Sequence, residues 1–507
     1  MKSPALGTFC LVLHSHLPWL ARHGAWPVGE DWLYQAWADS YLPVVEVLDR
    51  LAERGHRDVL TLGVTPVLAA QLDDPSCLRA MHTWLADRQL RAHTAAARRD
   101  LADAAVLEHR RSAHALTVFE RDWRHGASPI LRRLTDDGVV ELLGGPATHP
   151  FAPLLPGRVR RFLLEGGLRD TARRLGTRPT GIWAPECGYA AGMEHDYAAA
   201  GVERFLVDGP AMRGDTAAAR PVDGTDVIAF GRDLEVTYRV WSPRAGYPGG
   251  GDYRDFHTVD PATGLKPARV TGRRVAPAAK APYDAPRAAT AVQRDAADFV
   301  RVVRTRLRDL ADRHGHPGLV VAAFDTELFG HWWHEGPAWL ERVLTDLPDA
   351  GVRVTTLRGA VEVGHLGGPA VLPASSWGSG KDWRVWAGES VTDLAAGNAD
   401  VARRLLAAAD GHVGAVGARD PTLDTVAVQA ALALSSDWAF MVTKDAAADY
   451  ARGRATVHRD RVRELTDLLP AGRHADAARR AAEFRAQDDL FGHLDARWLR
   501  GTVGGAR

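Results

Sequence analysis

The sequence is poor in cysteine, with three in 507 residues: Cys10, Cys77 and Cys187. An odd, sparse set without a Cys-x-x-Cys pair excludes a disulfide framework and a zinc ribbon, and it fits a reducing, cytoplasmic setting. An excess of charge of either sign is also missing. Lys+Arg and Asp+Glu both number 63, so the net charge is zero. Nucleic acid and anionic membrane are therefore not expected as partners. There is no apolar run of about 18 residues, so no membrane-spanning helix is expected. Phe9–Leu13 is too short for an export signal and is interrupted by His14, His16 and Pro18, so it reads as a buried strand. No Gly-x-Gly-x-x-Gly follows that strand and no phosphate loop occurs, which argues against a nucleotide enzyme.

What the chain does have is tryptophan, 16 residues against 13 Phe and 9 Tyr. Indole faces pack on apolar sugar faces as readily as they fill cores. The length points to a large domain with one or two smaller ones. Short apolar runs alternate with helical patterns. The runs are Phe9–Leu13, Val139–Leu143, Gly181–Trp183, Arg204–Val207, Leu319–Phe324 and Val352–Leu357. This alternation predicts an α/β fold with a mainly parallel sheet. Polar residues follow the strands: His14 and His16, His149, Glu186, Asp208 and Asp325. Polar groups gathered at the carboxyl ends of parallel strands mark the active face of a barrel, although an open doubly wound sheet would give a similar list.

Residues 1–390 are expected to form the catalytic barrel, with a loop-rich or helical insertion around 190–290. From 395 to 507 the patterns Val401–Leu406, Leu423–Leu434 and Ala446–Leu469 predict a helical C-terminal domain.

Two segments carry the densest chemistry. Trp183-Ala-Pro-Glu186-Cys-Gly-Tyr189 sets a carboxylate behind a strand end between aromatics. Phe324-Asp325-Thr-Glu-Leu-Phe-Gly-His331-Trp-Trp-His334-Glu335 crowds acids, histidines and tryptophans into one stretch. Two carboxylates on separate strands suit a retaining glycosidase mechanism, which needs them roughly 5–5.5 Å apart. His14-Ser-His16 with His149 leaves two readings open: sugar hydroxyl binding beside the nucleophile, or a metal-dependent hydrolase site. Trp26, Trp241, Trp377 and Trp386 lie among Gly, Ser and Pro, as expected of loop platforms that stack on sugars.

These motifs resemble glycoside hydrolase family 57, and within it the 1,4-α-glucan branching enzymes. His14-Ser-His-Leu-Pro18, Leu143-Gly-Gly-Pro-Ala-Thr-His149 and the two acid-bearing segments are similar to its motif regions. The resemblance implies an incomplete (β/α)7 barrel with a small inserted region and a helical C-terminal domain. It implies Glu186 as nucleophile, Asp325 as general acid/base, and no cofactor or catalytic metal. It also implies substrate contacts at His14, His16, Trp26, His149, Arg232, Trp241, Gly249, Trp377, Trp386 and Asp437. The implied substrate is an α-1,4-glucan polymer and the implied product an α-1,6 branch of a glycogen-like glucan, made by a monomer or small homo-oligomer. An α-amylase or 4-α-glucanotransferase with the same residues is the alternative, and a glucan-binding protein without turnover is a further one. Two positions depart from the subgroup. Ala446 stands where a Gln is usual, and Gly209–Asp226 is a short loop without the subgroup's tyrosine. A shorter lid admits water to a covalent intermediate and predicts more hydrolysis.

Overall fold

The computed structural model describes residues 5–25, 28–242, 245–411 and 418–499; Trp26 lies outside them. The strands are β1 (Thr8–Ser15), β2 (Leu60–Val64), β3 (Val140–Leu143), β4 (Gly181–Ile182), β5 (Arg204–Asp208), β6 (Arg220–Pro221), β7 (Ile228–Arg232), β8 (Leu319–Asp325) and β9 (Arg353–Thr355). β1 is buried along its whole length, and β8 is buried except for its last residue. Both sequences are continuous apolar runs, as strands covered on both faces require.

The order β8-β1-β2-β3 forms one parallel sheet and β4-β5-β7 the parallel part of a second. Two thin seams join them into a ring. Gly144 bridges to Ile182, linking β3 to β4. Asp233 N–H donates to Val321 O at 2.8 Å, linking β7 to β8. Seven strands thus curl round a common interior through seams far weaker than their ladders. This is the incomplete (β/α)7 barrel. β9 pairs with Thr8–Cys10 on the edge of β1 that β2 takes further along, and the hairpin strand β6 covers the start of β7.

Helices pack outside this ring. The amphipathic helix Ala285–His314 buries Phe299, Val303, Leu307 and Leu310, and Asp284 caps its first turn. A pair of helices, Pro75–Ala95 and Ala102–Val118, is inserted between β2 and β3. Within 190–290, β5 and β7 belong to the barrel. The longest irregular stretch is 241–284, where the described residues form short turns and two isolated antiparallel bridges, Arg254 with Arg269 and Ala268 with Pro282. The run expected as a strand over Val352–Leu357 is a strand only over Arg353–Thr355. Thr356 caps the following helix, its side chain accepting from Gly359 N–H, so Leu357 is helical.

The C-terminal segment contains the helices Thr392–Gly411, Pro421–Ala433, Ser436–Thr443, Ala448–Leu468 and His474–Gln487. Pro421–Ala433 is buried at every residue after Pro421. The turn behind it, Ser435-Ser436-Asp437, reaches the mouth of the barrel, where Ser436 N–H donates to His149 O at 3.1 Å.

Candidate active site

The carboxyl ends of the strands deliver the polar groups. Register sets His14 of β1 opposite Asp325, the last residue of β8, and opposite Gly63 of β2. Glu186 follows β4 in the turn Pro185–Cys187. It adopts φ 61° and ψ 19°, with Cys187 at φ 49° and His149 at φ 57°. Non-glycine residues in the left-handed region store strain, and these three lie on the two segments that aim side chains into the mouth.

Glu186 is buried, and both its oxygens are engaged. Trp377 Nε1–H donates to Oε2 at 2.7 Å and Ser436 Oγ–H to Oε1 at 2.8 Å. Burial pushes its carboxyl up to about 6, and the two hydrogen bonds and His16 hold it from rising further. Behind Ser436 runs a chain of donors. His149 Nδ1 lies 3.0 Å from Ser436 Oγ, and His149 Nε2 lies 3.0 Å from His14 Nε2. Since Ser436 gives its proton to Glu186, His149 Nδ1 must donate to Ser436, leaving His149 Nε2 to accept from His14 Nε2–H. The hydrogen-bond network assigns these tautomers. Burial and their neighbouring imidazoles hold both rings well below the ordinary histidine value, hence neutral. Stacking fixes the rings: His14 lies 4.3 Å from Trp183 at 11°, and His16 lies 3.8 Å from His149.

His16 is different. Its Nε2 meets Asp437 at 2.9 Å and its Nδ1 meets Thr65 Oγ1 at 3.0 Å. Burial opposes its charge, but Asp437 raises its pKa above the ordinary value, and Asp437 is lowered in return.

Asp325 has the opposite surroundings. Burial drives its carboxyl well above the usual range, helped by the negative charges of Glu327 and Glu186 and opposed by Arg232. Glu327 occupies the turn just after β8. It accepts from the Tyr41 hydroxyl and from His16 N–H, the latter at 3.1 Å. Burial raises it to about 7. Two buried acids of one turn therefore hold protons that exposed carboxylates would lose. Arg232 reaches the site from the end of β7, with Nε donating to Asp208 at 2.8 Å and its guanidinium 5.2 Å from the Trp377 ring. Lys381 pairs with the other Asp208 oxygen at 2.6 Å.

Glu186, Asp325, His14, His16, His149, Arg232, Trp377 and Asp437 thus belong to one hydrogen-bonded and electrostatic unit. Trp241, Gly249 and Trp386 have other surroundings. Trp241 is 48% exposed and stacks on Trp332 at 5.7 Å. Gly249 ends the turn Tyr247–Gly249 against the Arg273 guanidinium, which a side chain there would meet at 2.5 Å. Trp386 is buried and stacks on Phe151 at 4.3 Å. Sequence reasoning missed Ser436, Tyr41 and the role of Glu327. Glu327 alone had a local signal, an acid two residues beyond Asp325 in a segment already dense with chemistry.

His16, His149 and Asp437 offer ligand atoms within 4.8 Å of one another, and so do His23, His458 and Asp488. In the first group every such atom already has a protein partner. In the second, Asp488 pairs with Arg461 at 2.5 Å, and Arg454 faces His458 at 3.0 Å, so cations already occupy the positions around it. Neither donor set is preorganised for a metal ion.

The chain is similar to known proteins along its length. Residues 10–246 match the family model described as glycosyl hydrolase family 57, and residues 399–499 match that of the 1,4-alpha-glucan branching enzyme C-terminal region. A Mycobacterium tuberculosis protein, curated as a probable 1,4-alpha-glucan branching enzyme, is 55% identical over 520 residues, covering 98% of this chain and 99% of its own. The crystal structure of a family 57 branching enzyme from Thermococcus kodakaraensis, in complex with glucose, superposes with a TM-score of 0.92 at 28% identity, over 98% of this chain and 97% of that one. An α-amylase from Thermotoga maritima gives 0.86 at 26% identity, over 98% and 100%.

Proposed function

Since the chain belongs to glycosyl hydrolase family 57, within its 1,4-alpha-glucan branching enzymes, we infer that its barrel mouth cleaves an α-1,4-glucan with retention and rejoins the cleaved piece as an α-1,6 branch. The observation that carries the roles is the contrast between its two central carboxyls. Glu186 is ionised above about pH 6 and is held by Trp377 and Ser436. Asp325 is driven well above the usual carboxylate range by burial and by the negative charges of Glu327 and Glu186. Paired acids pushed apart in this way divide into nucleophile and proton donor. Glu186 attacks the anomeric carbon while Asp325 protonates the departing glycosidic oxygen. Asp325, now a base, takes the proton of an incoming glucan 6-hydroxyl, which displaces Glu186. As charge leaves Glu186 during attack, the neutral chain His14–His149–Ser436 keeps a hydrogen bond aimed at it without adding a competing cation. Arg232, fixed by Asp208, lies where it favours the ionised form of Asp325 in the second step.

Cytoplasmic glycogen assembly is the setting that suits these properties. The described residues contain no helix long and apolar enough to cross a membrane. A mainly hydrolytic, amylase-like balance is the second reading, favoured by the short Gly209–Asp226 loop without a tyrosine. The roles are tested with α-glucosyl fluoride, whose leaving group needs no protonation. Asp325→Asn should still release fluoride while losing activity on amylose, and Glu186→Gln should do neither. Fluoride release by Glu186→Gln at the wild-type rate refutes the assignment.

A further inference from the structure

At the opposite end of the barrel, below the amino ends of the strands, lies a cavity of about 550 Å³. Its walls include Gly7 and Thr8 at the start of β1 and Arg353 at the start of β9. β1 runs from this floor to the catalytic mouth, about 20 Å at the usual rise of a strand, so the two sites are separate. The volume falls within the range of small-molecule sites, roughly 300–1,000 Å³.

The lining is basic in a chain with no net charge. Arg220, Arg353, His314, His316 and His365 face a single acid, Asp215. Asp215 is already committed, accepting from Arg220 at 2.6 Å and lying 3.6 Å from His314. Two helices end at this wall, Ala285–His314 and Leu357–Glu362, and their carbonyl ends attract cations. His314, in the last turn of the longer helix, answers that demand. Arg353 does not, because it stands on a strand, and its side chain has no hydrogen-bond or ion-pair partner among the described residues. His365 is tied to Thr8 Oγ1 at 2.7 Å. Burial lowers its pKa, and the fields of Arg353 and His316 lower it further, the mark of a local positive potential beside these two residues. Val363 and Leu366, both more than 40% exposed, add an apolar rim.

We propose that this cavity is a second binding site, for a phosphorylated small molecule. The phosphate would lie between Arg353 and His316, beside His365, where a planar guanidinium and an imidazole offer directed donors. The rest of the molecule would pack against Val363 and Leu366. The cavity is too shallow in charge for a polyanion such as nucleic acid, with one unpaired arginine, and it is sized for one monoester.

The test is calorimetric titration of the full chain at constant ionic strength and pH 6.5, with inorganic phosphate, glucose 6-phosphate and glucose. One phosphate-dependent site per chain is expected, with glucose 6-phosphate binding more tightly than inorganic phosphate if a sugar phosphate is the natural occupant. Inorganic phosphate binding as tightly would identify the free anion instead. The double variant Arg353→Gln/His316→Gln, at two exposed positions, should fold, keep its activity on amylose and bind at least tenfold more weakly. Arg353→Lys should retain part of the affinity. No binding of either phosphate at millimolar concentration, or equal affinity in the double variant, would overturn the proposal.

Discussion

Glu327→Gln isolates the electrostatic coupling on which the catalytic roles depend. Glu327 sits two residues beyond Asp325 and is buried, with its Oε1 accepting from both the Tyr41 hydroxyl and His16 N–H. After burial itself, its negative charge is the largest influence raising the Asp325 carboxyl. A like charge on the order of 6 Å away, at an effective dielectric of about 20, costs about 3 kcal/mol, or about two pKa units. Glu327 is itself raised to about 7, so it carries full charge only above neutrality. The net shift on removing it is therefore about one unit, and it belongs to the coupled acids rather than to one residue. The sign is fixed. Without a negative neighbour Asp325 loses its proton more easily, so the alkaline limb of kcat/KM moves to lower pH by about one unit. Glutamine still accepts from Tyr41, so thermal unfolding should change little. Branching rates on amylose from pH 5 to 9 read the shift. An alkaline limb that stays in place or moves upward refutes the reasoning.

Three other outcomes follow from named contacts. Trp377→Phe keeps an aromatic ring but removes the Nε1–H donor to Glu186. Losing a hydrogen bond to a charged group costs about 1.5–3 kcal/mol, so kcat should fall roughly 10- to 100-fold. The acid limb, set near 6 by Glu186, should move to higher pH, and a limb that falls contradicts the role given to that bond. Glu108 is lowered to about 2 despite burial, by Arg88 and Arg254. A depressed carboxyl adds stability that is present above its unfolded value and lost as pH falls toward 2. Urea unfolding should show Glu108→Gln destabilised by about 3 kcal/mol at pH 7, with the gap narrowing by pH 3. A gap that widens in acid is the contrary result. Dialysis against EDTA should leave the rate on amylose unchanged, because His16, His149 and Asp437 are already bonded within the protein; a loss that zinc restores would reinstate the metal-hydrolase reading.

Much of the barrel could be read from the sequence because its central strands are apolar on both faces and end in polar residues. Phe9–Leu13 running into His14, and Leu319–Phe324 running into Asp325, are such cases, and the structure makes them neighbours. β2 and β7 escaped detection. Leu60-Thr-Leu-Gly-Val64 is short and interrupted by Thr and Gly, and Ile228–Arg232 emerges from a Gly- and Asp-rich stretch. The site was legible where chemistry concentrates in one segment and illegible where the fold imports a lone residue. Tyr41 ends the π-helical segment Trp37–Tyr41 that joins two α-helices, where an aromatic reads as core. Ser436 is an ordinary serine until the C-terminal helices press it between His149 and Glu186. Trp386 is buried in the short helix Arg384–Ala387, although Gly and Ser surround that segment in sequence.

If Glu186 holds the cleaved sugar covalently, that sugar should pass to a glucan hydroxyl in preference to water. This preference is tested most directly by incubating the purified protein with amylose and following α-1,6 linkages by proton NMR together with new reducing ends. Branches should accumulate well ahead of reducing ends. Reducing ends accumulating without α-1,6 linkages would contradict this and would make the short Gly209–Asp226 loop the first place to look for the entry of water.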